Sequence, residues 1–135
     1  MSGPARAGVF IYAKDLPAMT AFYRALLAMT VIHEDATLAV LQSPDLQLVL
    51  HAIPPAIAAD IVISRPPVPR EDCALKFFVS VDSLAAAAIT AAAHGGDVSG
   101  PRWPGPGFVM TNACDPEGNI FQLREPAPAA GATAS

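Results

Sequence analysis

Charged residues are scarce in this sequence, and the basic ones are not gathered into a run or stripe. Only 15% of the 135 residues are Asp, Glu, Lys or Arg, and the formal net charge at pH 7 is -4. A protein that binds nucleic acid needs a concentration of Lys and Arg against the phosphates, so we expect no nucleic-acid partner. No apolar run approaches the length of a membrane-spanning helix, so we expect no membrane partner either.

Cysteine and histidine are also few, with two Cys and three His in the chain. Cys73 and Cys114 do not have the spacing of a metal site, and we expect both to be free thiols in a reducing compartment. The first residues, MSGPARAG, lack the charged and then apolar pattern of a secretory signal. Together these features predict a cytoplasmic protein.

Apolar residues, by contrast, make up 53% of the chain, enough for one domain with a sizeable core. The chain also repeats itself. The segments GVFIYAKDLPAMTAFYRALL (8–27) and KFFVSVDSLAAAAITAAAHG (76–95) each contain an extended apolar stretch followed by a helix. Asp15 and Ser83 stand where a helix N-cap is expected, and Gly95 is placed to end the second helix.

Each half also ends in a matched extended segment, DLQLVLH and IFQLRE, in which Gln47 and Gln122 occupy the same place. There is room for two more strands between the helix and the closing strand of each half. We predict these strands at 31–33 and 37–41 in the first half, and at 97–99 and 108–113 in the second. The predicted fold class is therefore α+β, with two paired βαβββ modules.

Three segments lie outside the modules, which we place at 8–53 and 74–125. Residues 1–7 form an N-terminal extension, and residues 54–73 form a connector with five prolines. The last segment, 126–135, has no large apolar side chain to bury, so we predict a flexible tail. The two modules are expected to form one structural domain overall.

The second closing strand is preceded by the turn DPEGN. Asp115 and Pro116 are typical of the start of a tight turn, and Gly118 can adopt backbone angles that other residues resist. We predict a positive φ at Gly118 and extended chain directly after it.

Alternate residues of a strand point to opposite faces, so the residues that face away from the helices can be predicted. The apolar ones are Phe10, Tyr12, Val49, Phe78 and Ile120, and the polar ones are Gln47, His51, Lys76, Ser80, Gln122 and Arg124. A few polar groups among apolar walls are typical of a small-molecule pocket. The alternative is a sheet face that is simply solvated.

Three segments, KDLPAMTAFYRALL, SVDSLAAAAITAAAHGGDV and DPEGNIFQLRE, resemble the vicinal oxygen chelate superfamily. This superfamily includes glyoxalase I, extradiol dioxygenases and bleomycin-resistance proteins, and the resemblance extends from Gly8 to Glu125. It implies that the two βαβββ modules curl a mixed sheet around a cavity, with the helices on the outside. It also implies a homodimer, since many small members of the superfamily pair.

The metal enzymes of this superfamily place one ligand on the first strand and one on the closing strand of each module. The matching positions here are Gly8, Gln47, Lys76 and Gln122. Glycine offers no ligand atom, lysine has only donors and repels a cation, and glutamine is a weak substitute for a carboxylate. We therefore expect no metal and no other cofactor.

The leading hypothesis is a metal-independent small-molecule binding protein of the glyoxalase and bleomycin-resistance type, which sequesters a small aromatic or anionic ligand. Aromatic side chains can stack on a ligand ring, Lys76 can pair with an anion, and the glutamines can both donate and accept. Trp103, in GPRWPGPGF, is predicted on a loop, where it either covers the mouth of the pocket or plugs the sheet. The predicted ligand-binding residues are Phe10, Tyr12, Gln47, His51, Lys76, Phe78, Trp103, Gln122 and Arg124.

Two other functions stay open. The first is an enzyme of the same superfamily, a lyase, isomerase or dioxygenase-like protein, that uses Lys76, Tyr12 and His51 or a non-standard metal site. Catalysis by Lys76 would require a buried amine. The second is an assembly protein whose pocket is filled by its own Phe10, Tyr12 and Phe78.

Purely structural roles are also open for the two basic residues on the predicted face. Lys76 would then reach water or pair with Glu71 or Asp72. Arg124 would pair with Glu125 or with a partner subunit.

Overall fold

A computed structural model describes residues 4–128 of the chain, so residues 1–3 and 129–135 of the predicted extension and tail lie outside the described part. In chain order the elements are β1 (Gly8–Ala13), α1 (Leu16–Leu27), β2 (Thr30–Glu34), β3 (Leu38–Gln42), β4 (Gln47–Ala52), α2 (Pro55–Ala58), β5 (Phe78–Ser80), α3 (Leu84–Ala93), β6 (Arg102–Gly105), β7 (Phe108–Cys114) and β8 (Ile120–Pro126). None of the helices in this described part has the length and apolar character needed to cross a membrane.

The strands form two four-stranded mixed sheets of the same design, in the orders β1-β4-β3-β2 and β5-β8-β7-β6. In each sheet the first strand is parallel to the closing strand, and the remaining pairs are antiparallel. Each sheet remains open rather than closing into a barrel. The α+β fold of two βαβββ modules, predicted from the repeat, is confirmed.

Both long helices begin at the predicted caps. Asp15 Oδ1 accepts a hydrogen bond from the Ala18 amide at 3.1 Å, and Ser83 Oγ accepts one from the Ala86 amide at 3.1 Å. These bonds satisfy amide groups that have no partner within the first turn. Helix α3 ends at Ala93, and Gly95 follows with φ of +87°, as predicted for a helix terminator.

One hydrophobic core joins the two modules. The strand residues that face the helices pack into it: Ile11, Leu48 and Phe121 are buried, while Val9 and Phe77 are partly buried against it. Helix α1 contributes Phe22, whose ring centroid lies 6.2 Å from that of Phe121 in an edge-to-face arrangement. Because α1 of the first module packs on β8 of the second, the modules share apolar side chains that neither could bury alone.

Strand β6 differs from the sequence prediction. We predicted a strand at 97–99, but Asp97 forms only an isolated bridge with Cys114, and β6 lies at Arg102–Gly105. The segment GPRWPGPGF, which contains Pro104, is predicted from the sequence as a loop, and a proline that cannot donate is tolerated in a strand only at an edge. Since β6 is the edge strand, the missing amide hydrogen of Pro104 breaks no sheet pairing.

The connector carries the short helix α2 and then packs on the turn before β8. The Arg70 amide donates to the Gly118 carbonyl at 2.8 Å, and Arg70 Nε donates to the Glu117 carbonyl at 3.1 Å. Gly118 has φ of +89°, which confirms the prediction made from DPEGN. A Cβ atom at this position would also overlap the carbonyl oxygen of Val68, so the connector and the turn both require glycine here.

Comparison with Gly107 separates backbone strain from this overlap, because Gly107 also has a positive φ, +81°, but a Cβ there meets nothing within 4 Å. We expect Gly107→Ala to lower the free energy of unfolding by about 1 kcal/mol, and Gly118→Ala to lower it by more than about 2 kcal/mol. Urea unfolding of both variants measures the difference. Equal losses would show that the Val68 carbonyl does not constrain Gly118.

Candidate functional site

The candidate site consists of the sheet faces that point away from the helices, and in the single chain these faces are open to solvent. The exposed fractions are 62% for Phe10, 59% for Tyr12 and 51% for Phe78. These values confirm the predicted orientation of all three side chains. Apolar side chains that are exposed to this extent on the same face of a sheet commonly mark a ligand-binding or protein–protein interaction surface.

The first sheet presents an aromatic surface with His51 beside it, and His33 of the outer strand β2 shares this face through its pairing with Val40. Tyr12 is paired with His51 across β1 and β4, and their ring centroids are 5.7 Å apart. Phe10 lies next along β1 on the same face, with its ring centroid 6.5 Å from that of Tyr12. His51 Nδ1 donates to the Ala52 carbonyl at 2.8 Å, which fixes the ring and leaves Nε2 as the nitrogen that can meet a ligand.

The second sheet presents an arginine held between two aromatic rings. The guanidinium carbon of Arg124 lies 3.5 Å from the ring centroid of Phe78 and 4.3 Å from that of Phe108. Arg124 Nε also donates to Gln122 Oε1 at 2.8 Å. The alternative of an Arg124–Glu125 pair is not formed, because successive strand residues point to opposite faces and Glu125 Oε1 accepts from the Leu84 amide at the start of α3.

Lys76 lies just before β5 and bonds to a residue that the sequence analysis had not named. Its Nζ donates to Asn112 Oδ1 at 3.1 Å, and it is not paired with Glu71 or Asp72, the ion pair that the sequence left open. Asn112 is paired with Gln122 across β7 and β8, and therefore shares its face. Lys76 is exposed, so the burial that a catalytic amine would require is also absent.

Trp103 lies in β6 rather than on the predicted loop. It is paired with Met110, which is in turn paired with Arg124, so all three side chains share the candidate face. Trp103 is 41% exposed. The residues of β7 on this face were missed because the sequence analysis assigned faces only to the first and closing strands, although the same alternation would have identified them.

The match between Gln47 and Gln122 is also corrected by the strand register. Phe10 and Phe78 hold the same place relative to the two helices, and they are paired with Val49 and Gln122 respectively. Val49 is therefore the counterpart of Gln122, and Gln47 lies two residues earlier. The similar motifs LQL and FQL suggested that the two glutamines are equivalent. The motifs do not reveal this two-residue offset, because strand register is set by pairing with the neighbouring strand.

The positions that hold metal ligands in the superfamily do not fit a divalent cation here. Gly8 has no side-chain donor, and Lys76 carries a positive charge. Val49, the counterpart of Gln122 by register, is apolar and offers no ligand atom. Gln47 Nε2 donates to Gln42 Oε1 at 3.0 Å, and Gln122 Oε1 already accepts from Arg124. Elsewhere in residues 4–128, no three His, Cys, Asp or Glu side chains are grouped closely enough to hold a metal ion.

A cleft of about 560 Å³ lies at the Lys76 end of the second sheet. One wall is the sheet, with Lys76, Asn112 and Ile120, and the other includes Arg70 and Cys73 of the connector. Its volume is within the range typical of small-molecule pockets, roughly 300 to 1,000 Å³. The connector therefore extends the candidate face into a concave site.

Solved structures with this fold include glyoxalase and antibiotic-resistance proteins. A glyoxalase/bleomycin resistance protein/dioxygenase family enzyme from Burkholderia phytofirmans PsJN is 17% identical, with a TM-score of 0.64 over 92% of this chain and 100% of that one. A bleomycin-binding protein complexed with bleomycin is 20% identical, with a TM-score of 0.56 over 93% and 100%. The fosfomycin resistance protein FosX from Mesorhizobium loti is 12% identical, with a TM-score of 0.60 over 95% of each chain.

At these identities the structural likeness establishes the fold alone. Residues 8–124 also match the glyoxalase-like domain family, and the chain belongs to that family. No protein of curated function matches the sequence significantly.

The two cysteines that line the cleft should differ in reactivity. Cys73 is exposed and Cys114 is buried, and burial, with the nearby Asp115 and Asp97, raises the pKa of Cys114 to about 11. At pH 8 only about 0.1% of Cys114 would then be the nucleophilic thiolate. We expect the folded protein to react with one equivalent of Ellman's reagent, and Cys73→Ser to react only after unfolding. Rapid reaction of folded Cys73→Ser would contradict the buried position of Cys114.

Proposed function

We propose that this protein is a metal-independent small-molecule binding protein that sequesters a small aromatic or anionic ligand on the candidate face. The observation that carries the proposal is the combination of exposed aromatic rings with polar groups already held in place by hydrogen bonds. Tyr12 and Phe10 offer stacking surfaces, while His51 and Arg124 are anchored by Ala52 and Gln122. Its free thiols suit a protein of the reducing cytoplasm.

The proposal includes a homodimer. A ligand on the face of a single chain would stay partly solvated, because Phe10, Tyr12 and Phe78 are each more than half exposed. A second copy placed over the face would remove this apolar surface from water and enclose the ligand. The exposure of these rings also weighs against a pocket that one chain fills with its own side chains.

Catalysis centred on His51 is the second candidate. The bond from His51 Nδ1 to the Ala52 carbonyl leaves Nε2 oriented for proton transfer, and Tyr12 lies beside the ring. Against it, His51 bonds to a backbone carbonyl rather than to a carboxylate, and Lys76 is exposed.

A thermal-shift screen of neutral aromatic compounds, small carboxylates and metal ions tests the binding function. We expect ligands that bind to raise Tm by mass action and to be recovered chemically unchanged, with a metal content far below one ion per chain. Tyr12→Ala should reduce the gain in Tm. Ile89→Ala, which removes an exposed apolar side chain from α3, is the matched control and should leave the gain unchanged.

Three results would contradict the binding function. They are a screen without any shift, stoichiometric zinc, iron or manganese, and conversion of the ligand to a product. Conversion that is lost in His51→Gln would instead support the catalytic candidate.

The dimer is tested by light scattering coupled to size-exclusion chromatography. We expect a mass of twice the chain's 13.9 kDa, and a shift toward the monomer when Phe10 is changed to Asp, because a buried charge without a partner is costly. A wild-type protein that elutes with the mass of one chain at all concentrations would contradict the dimer.

A further inference from the structure

The two amide side chains on the second sheet both turn their oxygen toward a cation. Asn112 Oδ1 accepts from Lys76 Nζ, and Gln122 Oε1 accepts from Arg124 Nε. Ammonium and guanidinium groups can only donate, so the opposite amide orientation would place two donors against each other. The NH2 group of each amide therefore points away from its cation, where a ligand can reach it.

Arg124 is also fixed before any ligand arrives. The rings of Phe78 and Phe108 hold its guanidinium group through cation–π contacts, and Gln122 holds Nε. The two terminal Nη groups remain as donors, in a planar arrangement that suits two oxygens of one anion. An arginine held in this way loses little conformational freedom on binding, so more of the interaction energy is available for affinity.

The strands of the second sheet carry no acidic side chain on this face. Each strand of the second sheet contributes alternate residues to it, and these residues are Phe78, Ser80, Trp103, Gly105, Phe108, Met110, Asn112, Cys114, Ile120, Gln122, Arg124 and Pro126. None of them is Asp or Glu, although the whole chain carries a net charge of -4. The nearest acidic residue is Asp97, which is bridged to Cys114 outside the strands, and Asp97 and Glu71 line the cleft together with Lys76 and Asn112.

We propose that Lys76, Asn112, Gln122 and Arg124 form an oxyanion site that binds a carboxylate, phosphate or phosphonate group of the ligand. This inference rests on the proposed binding function and specifies its ligand class. The adjacent Phe78 and Trp103 rings are placed to hold an apolar or aromatic part of the same molecule. The amide oxygens already accept hydrogen bonds from the two cations, so the site offers a ligand only hydrogen-bond donors. A neutral amide or a cationic ligand should therefore bind with lower affinity than an anion.

The test compares benzoate, phenylphosphonate and the neutral isostere benzamide by isothermal titration calorimetry. We expect at least one of the two anions to bind about tenfold or more tightly than benzamide, because charge-assisted hydrogen bonds are stronger than neutral ones. The preferred anion identifies which oxyanion the site takes.

Three variants separate the oxyanion site from general effects. Arg124→Met and Lys76→Met should each weaken the preferred anion, by about tenfold for Arg124→Met, and change benzamide little. Arg102→Met is the matched control, since Arg102 is paired with Thr111 on the opposite face of the same sheet. It should leave anion affinity unchanged, and thermal unfolding of all variants verifies that they are folded.

Benzamide binding as tightly as both anions would overturn the oxyanion site while leaving the binding function intact. Unchanged anion affinity in folded Arg124→Met would do the same. If no anion binds at millimolar concentration, the oxyanion site is also overturned, and the binding function is decided independently by the neutral compounds of the thermal-shift screen.

Discussion

The hydrogen bond from the Tyr23 hydroxyl to Asp115 Oδ2, 2.7 Å long and fully buried, holds together the parts on which the site depends. Asp115 also accepts from the amides of Glu117 and Asn119 and from Asn119 Nδ2, at 2.8–3.0 Å. Burial raises the pKa of Asp115, against the effect of these bonds, and burial together with Asp115 raises the pKa of Tyr23. A buried carboxyl without such donors would be costly, so the turn before β8 depends on Tyr23 of helix α1 for its stability, and Tyr23 depends on the turn for the partner of its hydroxyl.

The consequence of this turn is the position of β8, which begins directly after it. Strand β8 carries Gln122 and Arg124, and the pairing of Phe78 with Gln122 brings the aromatic ring beside them. In the superfamily's metal enzymes the place of Gln122 belongs to a ligand, whereas here its oxygen is used by Arg124. The same framework of turn, helix and sheet is thus compatible with a site of quite different chemistry, because the fold sets where the side chains lie and the side chains determine what the site does.

The sequence predicted the features that depend on local chemistry. The caps at Asp15 and Ser83, the positive φ of Gly118 and the alternation in the first and closing strands all follow from properties of single residues or short patterns. The features that it missed depend on neighbours distant in sequence. The edge position of β6 made Pro104 acceptable in a strand, and the register of β4 against β1 placed Val49, not Gln47, opposite Phe10. The contact between Lys76 and Asn112 likewise depends on the pairing of β7 with β8, which the sequence alone does not define.

A crystal structure with phenylphosphonate, collected above the absorption edges of zinc, iron and manganese, tests the central claim most directly. The account predicts phosphonate oxygens within hydrogen-bonding distance of the Arg124 Nη groups and the Gln122 amide, without an anomalous peak at the superfamily's metal position. A transition-metal ion coordinated among residues 8, 47, 76 and 122, with the phosphonate bound to it, would contradict the account.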